Sequence, residues 1–207
     1  MHIIMLGPPG SGKGTQAEMI AERYSIPHIS TGAIFREISK KNTKFGKQVK
    51  ALLDVGKLVS DEATIEILKK RIKKEDCRNG FIVDGFPRTI NQAKKLAKVM
   101  HVDHTIFLDV PSSVAIKRLS SRWTCTKCGF VYGIDIMPKK SGFCDKCSGP
   151  LYQRDDDKIP TIKKRLVVYK KLTKPMIGFY KKQGLLSKIN GKRKPEDVFA
   201  QIRKILH

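Results

Sequence analysis

Residues 7–15 read GPPGSGKGT, which nearly matches the phosphate-binding pattern G-x-x-x-x-G-K-[ST]. Both glycines of the pattern and Lys13 stand in register. The last position departs, because Gly14 replaces the serine or threonine whose hydroxyl binds magnesium, and a hydroxyl follows one residue later at Thr15. The stretch therefore predicts a loop that binds nucleotide phosphates but manages the metal and the charge in another way.

The segments on either side of this loop have the periodicity that its function requires. Residues 2–6 form a short apolar run that ends at a glycine, which is typical of a buried parallel strand. Residues 13–24 carry apolar side chains at helical spacing. Strand, glycine loop and helix in this order are the context in which the pattern binds phosphate.

Strands and helices alternate along most of the chain. Further apolar runs predict strands at 27–29, 81–84, 105–110 and 185–189. Helical patterns predict helices at 31–41, 61–74, 89–100, 112–122, 160–182 and 195–206. This alternation predicts an α/β protein with a parallel five-stranded sheet and helices on both faces, whose ligands bind at the carboxyl ends of the strands.

Two stretches interrupt the alternation and predict insertions over the strand ends. Residues 31–60 have helical patterns only. Residues 121–158 are rich in Gly, Cys, Lys and Asp and have little helical period. We therefore expect a core domain of residues 1–30, 61–120 and 159–207 that carries two smaller insertions.

The chain is strongly basic, with 42 Lys and Arg against 19 Asp and Glu and a formal net charge of +23. This excess favours polyanionic ligands such as nucleotides, nucleic acid or an anionic membrane surface. The lysines are scattered over amphipathic helices without stacking aromatics, which argues against nucleic acid. No apolar run approaches the ~20 residues of a membrane span, and the N-terminal MHIIML lacks a basic leader, so we expect a cytoplasmic protein with no membrane partner.

Four of the five cysteines stand as C-x2-C, fifteen residues, C-x2-C within the second insertion. They are Cys125, Cys128, Cys144 and Cys147. This spacing predicts a zinc site on two tight turns, and four thiolates would fill the tetrahedron and leave no position for a reactive water. We therefore expect a structural zinc that stabilises an insertion too small for its own core. Cys77 stands apart and is expected to be a buried or incidental thiol.

Arginines gather near the predicted strand ends and insertion boundaries. They are Arg88, Arg118, Arg122, Arg154 and Arg165. In FIVDGFPRTINQ (81–92) a strand ends at Asp84, and an arginine follows at the start of a helix. Arg118 and Arg122 are one turn apart and are expected to share a helix face. Guanidinium groups fit phosphate oxygens with paired hydrogen bonds, so these residues are candidate phosphate ligands.

Taken together, these motifs resemble the adenylate kinases that have a long, zinc-bearing lid. The resemblance covers essentially the whole chain. The matching stretches are GPPGSGKGTQA (7–17), STGAIFR (30–36), GKLVSDE (56–62), VDGFPRTINQA (83–93), the four cysteines and YQRDDD (152–157). It implies the nucleoside monophosphate kinase fold and reversible, magnesium-dependent transfer of the ATP γ-phosphate to AMP, which gives two ADP and serves adenine nucleotide homeostasis. It also implies an AMP-binding insertion at 31–60, a lid at 121–158 and a monomer.

The resemblance also implies roles for individual residues. Those implied in catalysis are Lys13, Asp84, Arg88, Arg122, Arg154 and Arg165. Those implied in ATP binding are Gly10, Ser11, Gly12, Lys13, Gly14, Thr15, Arg118, Arg122, Val131, Tyr132 and Lys192. Those implied in AMP binding are Thr31, Arg36, Lys57, Leu58, Val59, Gly85, Phe86, Pro87, Arg88, Gln92, Arg154 and Arg165.

Two further features of the family pattern bear on the site. The acidic pair Asp156 and Asp157 is present and is implied to help lock the closed lid. The chain departs from the family at Ala33, where an aspartate is usual, and at Gly133, where a histidine is usual. The loop ending G-K-G-T is shared with nucleoside monophosphate kinases, and Asp84 is implied to orient magnesium through water.

Three functions remain open at this point. The first is ATP:AMP phosphotransfer, and the second is the same chemistry on UMP, CMP or GMP. Thr31 and Gln92 favour adenine between these two, since kinases for other bases resemble the chain less at those places. The third is a zinc-ribbon protein with a phosphate loop that binds RNA or DNA, which would suit the net charge.

Overall fold

The computed structural model describes residues 1–206 of the chain. The strands in this region are β1 (His2–Leu6), β2 (His28–Ser30), β3 (Phe81–Asp84), β4 (His104–Asp109), β5 (Trp123–Cys125), β6 (Val131–Tyr132), β7 (Leu151–Tyr152) and β8 (Leu186–Asn190). A parallel five-stranded sheet has the order β2-β3-β1-β4-β8. The predicted α/β class and sheet are thus confirmed, and the strand bounds differ from the predicted ones by at most one residue.

The helices of the described region follow the predicted alternation. They are α1 (Lys13–Tyr24), α2 (Thr31–Ser39), α3 (Lys44–Asp54), α4 (Asp61–Ile72), α5 (Ile90–Ala97), α6 (Ser112–Ser120), α7 (Ile159–Val168), α8 (Met176–Lys182) and α9 (Pro195–Arg203). The single helix predicted at 160–182 is wrong. A π-helical turn at Tyr169–Thr173 follows α7, and α8 begins after Pro175, whose ring nitrogen cannot donate a helix hydrogen bond.

Side chains of the central strand divide the core into two layers. Ile3 and Met5 pack with α1 and α9 on one face of the sheet. Ile4 and Leu6 pack with α4, α5 and α8 on the other face. A strand buried on both faces reads as a continuous apolar run, which is why β1 could be predicted. The glycine loop leaves the carboxyl end of this strand, so the sheet carries the loop on a rigid base.

The first insertion consists of helices, as predicted. Helices α2 and α3 pack around Phe35, Val49 and Val59. Each helix begins where a hydroxyl caps it: Ser30 accepts a hydrogen bond from the N–H of Ala33 at 3.3 Å, and Thr43 accepts one from that of Gly46 at 3.0 Å. Such caps stabilise a helix start by about 1 kcal/mol. The start of α2 therefore keeps its cap although the family's aspartate is missing at position 33.

The second insertion contains a small antiparallel sheet in the order β6-β5-β7, which the sequence analysis did not predict. Its strands have only two or three residues. A run this short has too few positions to show the alternation that identifies a strand. The sheet packs against the cysteine-bearing turns through Tyr132, Phe130 and Leu151.

Part of the excess positive charge lies on solvent-exposed helix surfaces. Lys70, Lys94 and Lys182 are examples, each in the last turn of a helix that leads into a strand of the sheet. Cations are favourable there because they offset the negative end of the helix dipole. None of the helices among residues 1–206 has the length and the apolar composition that crossing a membrane requires.

Candidate active site

The glycine loop connects β1 to α1 in a conformation that needs glycine at defined positions. Gly10 has φ 79°, and a Cβ there would lie 2.6 Å from the carbonyl oxygen of Ala115. Gly12 has φ 90° and is the residue that precedes α1. Left-handed backbone of this kind is costly for residues with a side chain. The loop therefore places backbone N–H groups at a helix N-terminus, which is a favourable place for phosphate oxygens.

Lys13 lies over this loop and close to the end of β3. Its Nζ donates to the carbonyl oxygens of Gly7 and Pro8 at 2.9 and 2.8 Å. The pKa of Lys13 is lowered to about 8, mainly by burial; Asp84 opposes this shift, and nearby arginines such as Arg88 add to it. Bound phosphate would reverse this shift, since an anion favours the charged amine.

Asp84 is buried at the carboxyl end of β3, and its Oδ1 atom has no hydrogen-bond partner among the described residues. Burial alone would raise the pKa of this carboxyl, but His28 and Lys13 outweigh burial and hold the pKa below its usual range. A Cβ at Gly14 would lie 3.7 Å from Asp84 Oδ2. Gly14, which stands where the usual loop has its metal-binding hydroxyl, therefore lies beside Asp84. The unpartnered Oδ1 of Asp84 is the kind of oxygen ligand that Mg²⁺ prefers.

His28 was missed by the sequence analysis. Its Nε2 lies 3.8 Å from Asp84 Oδ2, and both side chains are largely buried. The pair forms because β2 and β3 are neighbours in the sheet, and His28 is aligned with Ile82, two residues before Asp84. No motif marks this histidine, since the contact depends on strand pairing alone.

Arg88 follows the tight turn after β3. Its Nε donates to the carbonyl oxygen of Gly85 at 2.6 Å. Gly85 has φ 79°, and a Cβ there would lie 2.9 Å from Thr31 Oγ1 and 3.1 Å from a guanidinium nitrogen of Arg88. Only glycine lets the backbone, the threonine and the guanidinium approach this closely. The turn therefore aims Arg88 towards the end of the glycine loop.

Arginines and carboxylates form a network between the second insertion and α7. Arg122 donates to both oxygens of the fully buried Asp157, with Nε at 2.8 Å. Arg165 contacts Asp156 Oδ2 at 2.9 Å and Asp157 Oδ1 at 3.3 Å. Arg154 donates from Nε to Thr124 at 2.9 Å. The expectation that Arg118 and Arg122 share a helix face is corrected, because α6 ends at Ser120 and only Arg118 lies within it.

The arginine cluster carries more positive charge than its carboxylates balance. Burial lowers the pKa of Arg88 to about 10, and the pKa of Arg154 falls to about 9. Burial is the main cause of both shifts. Repulsion from Arg165 lowers the pKa of Arg88 further within this shift, and repulsion from Arg122 and Arg36 does the same for Arg154. An array of buried like charges is stabilised by an anion, so the cluster is suited to hold phosphate groups.

Most of the predicted ATP-side and catalytic residues line one cavity of about 540 Å³ at the carboxyl edge of the sheet. Those that do are Gly10, Ser11, Gly12, Lys13, Gly14, Thr15, Asp84, Arg88, Arg118, Arg122, Val131, Tyr132, Arg154 and Arg165. The cavity also takes in Arg36, Leu58, Gly85 and Pro87 from the predicted AMP set. Residues far apart in sequence are thus brought together around one volume large enough for a nucleotide.

A second cavity of about 30 Å³, far smaller than a nucleotide, adjoins this one under the first insertion. It is lined by Thr31, Lys57, Leu58, Val59, Gly85, Arg88 and Gln92, together with Phe35 and Leu53. Gly85 and Arg88 line both cavities. Arg88 therefore stands at the boundary between the two, where a group passing from one ligand to the other would lie.

Two predicted residues line neither cavity. Phe86 is buried in the core layer beside α5. Lys192 has an exposed side chain, and its carbonyl oxygen lies 3.5 Å from a guanidinium nitrogen of Arg118.

Asp61 orients the buried amide of Gln92, and the sequence analysis missed this residue. Gln92 Nε2 donates to Asp61 Oδ1 at 2.6 Å, and Gln92 Oε1 accepts from the Arg88 N–H at 2.7 Å. Thr89 and Asn91 donate to the other oxygen of the same carboxylate. These bonds set which way the amide of Gln92 faces. An acidic residue in the first turn of a helix reads as ordinary dipole compensation, so the sequence hides this second role.

The four predicted cysteines of the second insertion meet in space. All their sulfur atoms lie within 4.8 Å of one another, with Cys125 and Cys147 at 3.4 Å and Cys128 and Cys144 at 3.6 Å. These separations fit four thiolates around one tetrahedral ion. Tyr132 donates its hydroxyl to Cys144 at 3.5 Å and accepts the N–H of Asp145 at 2.7 Å. The hydrogen bond from Tyr132 and nearby backbone N–H groups outweigh the effect of burial and lower the pKa of Cys144. The lower pKa favours the thiolate, which is the form that binds a metal.

The chain matches known proteins over its whole length. A family model described as adenylate kinase matches residues 5–185. An adenylate kinase of Listeria monocytogenes serotype 4b (strain CLIP80459) is 48% identical over an alignment of 212 positions, covering 100% of this chain and 99% of the relative. Adenylate kinases of Clostridium tetani and Archaeoglobus fulgidus are each 47% identical, covering 100% of this chain and 98% of the relative. The chain therefore belongs to the adenylate kinase family.

Proposed function

We infer that the protein transfers the γ-phosphate of ATP to AMP, reversibly and with magnesium, to give two molecules of ADP. One observation carries this inference. Arg88 lies between a large cavity lined by the glycine loop and a small cavity lined by Thr31 and Gln92. The small cavity holds only about 30 Å³, so the first insertion would open to admit AMP, and the phosphates of the two nucleotides would then meet at the arginine cluster.

The catalytic contribution of this chain is positioning and charge neutralisation. Backbone N–H groups of the glycine loop and Lys13 would hold the phosphates of ATP. Arg88, Arg122 and Arg154 would stabilise the negative charge on the transferred group. Phosphoryl transfer needs in-line geometry and neutralised charge more than covalent help from the protein. No general base is required, because the attacking oxygen of AMP is already an anion.

Magnesium fits beside Asp84. The unpartnered Oδ1 of this buried carboxylate is a hard oxygen donor. Mg²⁺ keeps several waters, so one carboxylate that holds those waters is sufficient beside the phosphate oxygens of ATP. When bound, the metal neutralises phosphate charge. Asp84 provides the fixed negative charge that orients it, and His28 lies beside this carboxylate.

The two insertions serve as flaps over the reacting phosphates. We propose a core domain of 1–30, 61–120 and 159–207, an AMP-binding flap of 31–60 and a lid of 121–158. Excluding water protects the transferred group from hydrolysis and strengthens each ionic contact. Asp156 and Asp157 support this role, since they tie the arginines of the lid boundary together.

The cysteine cluster is proposed to hold structural zinc in the lid. Its four ligands leave no open coordination position, so the chemistry belongs to the arginine cluster. We further propose that the protein is a cytoplasmic monomer whose partners are ATP, AMP and ADP. Mass measured in solution by light scattering tests the monomer, and elemental analysis of purified protein tests the metal.

Purified protein incubated with ADP and magnesium tests the proposed reaction directly. The products are separated by ion-exchange chromatography, and equal amounts of ATP and AMP are expected. A nucleic-acid-binding protein would give neither product, and the arginines here lie around cavities rather than along a surface stripe. The family match likewise favours phosphotransfer over nucleic-acid binding.

AMP is expected to be preferred over CMP, UMP and GMP by well over tenfold in kcat/KM. Gln92 is buried and its amide is oriented by Asp61, so its remaining hydrogen-bonding capacity faces one base edge only. A site built to pair with one base leaves polar groups unpaired with another. Initial rates with each monophosphate at saturating ATP measure the preference. Comparable values for AMP and CMP would show that the kinase acts on another monophosphate.

Fluorescence of Trp123, the only tryptophan, is expected to report lid closure. The indole is 45% exposed and begins β5, next to Arg122 at the lid boundary. A ligand shifts a conformational equilibrium only through contacts it makes better in one state. AMP alone engages mainly the first insertion, so it should change the emission little. A mimic with two adenosines joined through five phosphates should engage both flaps and change it clearly.

The fluorescence test is a pair of titrations, one with AMP and one with the two-headed mimic. Calorimetry establishes that each ligand is bound at the concentrations used. Trp123→Phe serves as the control, since it removes the indole and should abolish the signal without abolishing binding. Equal spectral changes for both bound ligands would contradict a phosphate-driven lid hinged at this residue.

A further inference from the structure

Arg118 joins three parts of the molecule. It lies on α6, and its Nε forms an ion pair with Asp135 Oδ2 of the second insertion at 3.0 Å. Its Nη1 donates to the carbonyl oxygen of Gly191 at 2.7 Å. Its Nη2 lies 3.5 Å from the carbonyl oxygens of Lys192 and Arg193. The guanidinium is therefore held at opposite edges, by the insertion on one side and by the turn between β8 and α9 on the other.

The turn that holds Arg118 lies directly against the glycine loop. A Cβ at Gly191 would lie 2.7 Å from Val110 and 3.3 Å from the carbonyl oxygen of Ser11. Arg118, Asp135 and Gly191 all line the large cavity, and none of them lines the small one. This end of the large cavity therefore lies beside the glycine loop and away from the small cavity.

Asp135 is presented by a tight turn of the second insertion. Gly133 and Ile136 bond to each other through their backbones, with N–H to O distances of 2.8 and 3.3 Å. Asp135 lies within this turn and its side chain is 36% exposed, against 16% for Arg118. The carboxylate pairs with the Nε of the guanidinium, and the hydrogen bonds to the turn are made by its Nη atoms. Hydrogen bonds at the edges of a planar guanidinium leave its faces free to stack on an aromatic ring.

We propose that Asp135 is a positioning residue for the donor nucleotide. It fixes the plane of Arg118 across the lid boundary, so that a face of the guanidinium meets the base of ATP when the second insertion lies over the cavity. Part of the recognition of the donor base thus depends on a lid side chain that does not itself contact the phosphates. The proposal rests on the proposed function, and it assigns a role that no sequence motif marked.

The variant Asp135→Asn tests this role because it keeps the side-chain shape and removes the charge. The KM for ATP is expected to rise about three- to fivefold, the size of a partly exposed ion pair. The KM for AMP and the kcat at saturating ATP are expected to change less than twofold. Asp135→Glu restores the carboxylate and should keep the KM for ATP within twofold of the parent value. Asp155→Asn is the matched control, since it removes a lid carboxylate whose ion pair, within residues 1–206, is with Lys158.

Inorganic tripolyphosphate separates base positioning from a general effect on the lid. It competes for the phosphate positions but has no base to stack. Its inhibition constant against ATP is expected to be the same for the parent protein and for Asp135→Asn. Zinc content and the midpoint of thermal unfolding, compared in the same samples, show whether the variant lid is folded.

The outcomes are distinct from failure of the proposed function. If the parent protein does not convert ADP into ATP and AMP, the proposed function fails and this inference fails with it. If the parent is active, an unchanged or lowered KM for ATP in Asp135→Asn overturns the positioning role alone. The positioning role is also overturned if Asp135→Asn raises the KM for ATP and the inhibition constant of tripolyphosphate by the same factor. It is overturned as well if Asp135→Glu has a KM for ATP as high as that of Asp135→Asn.

Discussion

Arg88→Ala is expected to lower kcat by roughly 10³–10⁵, the effect of removing an arginine that stabilises a transferring phosphoryl group. The guanidinium lies at the boundary of the two cavities, where the negative charge of both nucleotides meets. Its Nε bond to the Gly85 carbonyl leaves the remaining donors free to bind phosphate oxygens. Because the interaction is strongest when charge is spread over the transferring group, the loss should fall mainly on kcat.

The measurement for Arg88→Ala is the steady-state rate of ADP formation at saturating ATP and AMP. The matched control is Arg78→Ala, which removes an arginine that is 78% exposed and paired only with Glu75. The control should keep nearly the parent rate, and circular dichroism should show that both variants are folded. The expected loss in kcat is far larger than about tenfold. If kcat of Arg88→Ala stays within about tenfold of the parent value, phosphoryl transfer occurs elsewhere.

Cys144→Ser is expected to release the metal and to lower the stability of the lid before it harms catalysis. The thiolate is one of four sulfur ligands within 4.8 Å of one another, and it also accepts the hydroxyl of Tyr132. Zinc binding contributes on the order of 10 kcal/mol to the folding of small domains, so losing one ligand removes the main stabiliser of a segment with few core residues. Zinc stoichiometry and the thermal midpoint should fall together.

The control for this loss is Cys77→Ser, the same substitution at a cysteine outside the cluster. Cys77 is buried in the hydrophobic core, and its sulfur forms polar contacts with Arg71 and Asp76. This variant should keep the parent zinc content by elemental analysis. A full complement of zinc in Cys144→Ser would show that three thiolates suffice and that the lid does not depend on the fourth.

Features that depend on local sequence could be predicted closely. The bounds of β1 and α1 agree with the predicted ones, because an apolar run, a glycine pattern and a helical period are each contained in a dozen residues. The cysteine spacing predicted the cluster for the same reason, since two C-x2-C turns bring their sulfurs together almost independently of the rest.

Features that depend on long-range packing could not be predicted from the residues alone. Asp61 orients Gln92 across 31 positions, and Arg122 meets Asp157 across 35. The strands of the lid are too short to show a period. Pro175 marks the start of α8 locally, but the wide turn at Tyr169–Thr173 that ends α7 has no local signal. In each case the sequence contains the side chains but not the distance between them.

The sequence by itself determined the chemistry of this protein: a phosphate loop at a strand end, arginines for phosphate oxygens and four thiolates for a metal. Each of these features depends on residue type and on short spacing along the chain. Both are the same in the unfolded and the folded protein. The tertiary structure decided which charges face each other. The parallel sheet places β1 beside β3 and β4, and the carboxyl ends of these strands bring Lys13, Asp84 and Arg88 to one cavity. Contacts such as that of Arg118 with Asp135 exist only once packing has set the distance between elements, because an ionic contact depends on that distance and on burial, and neither is a property of the local sequence.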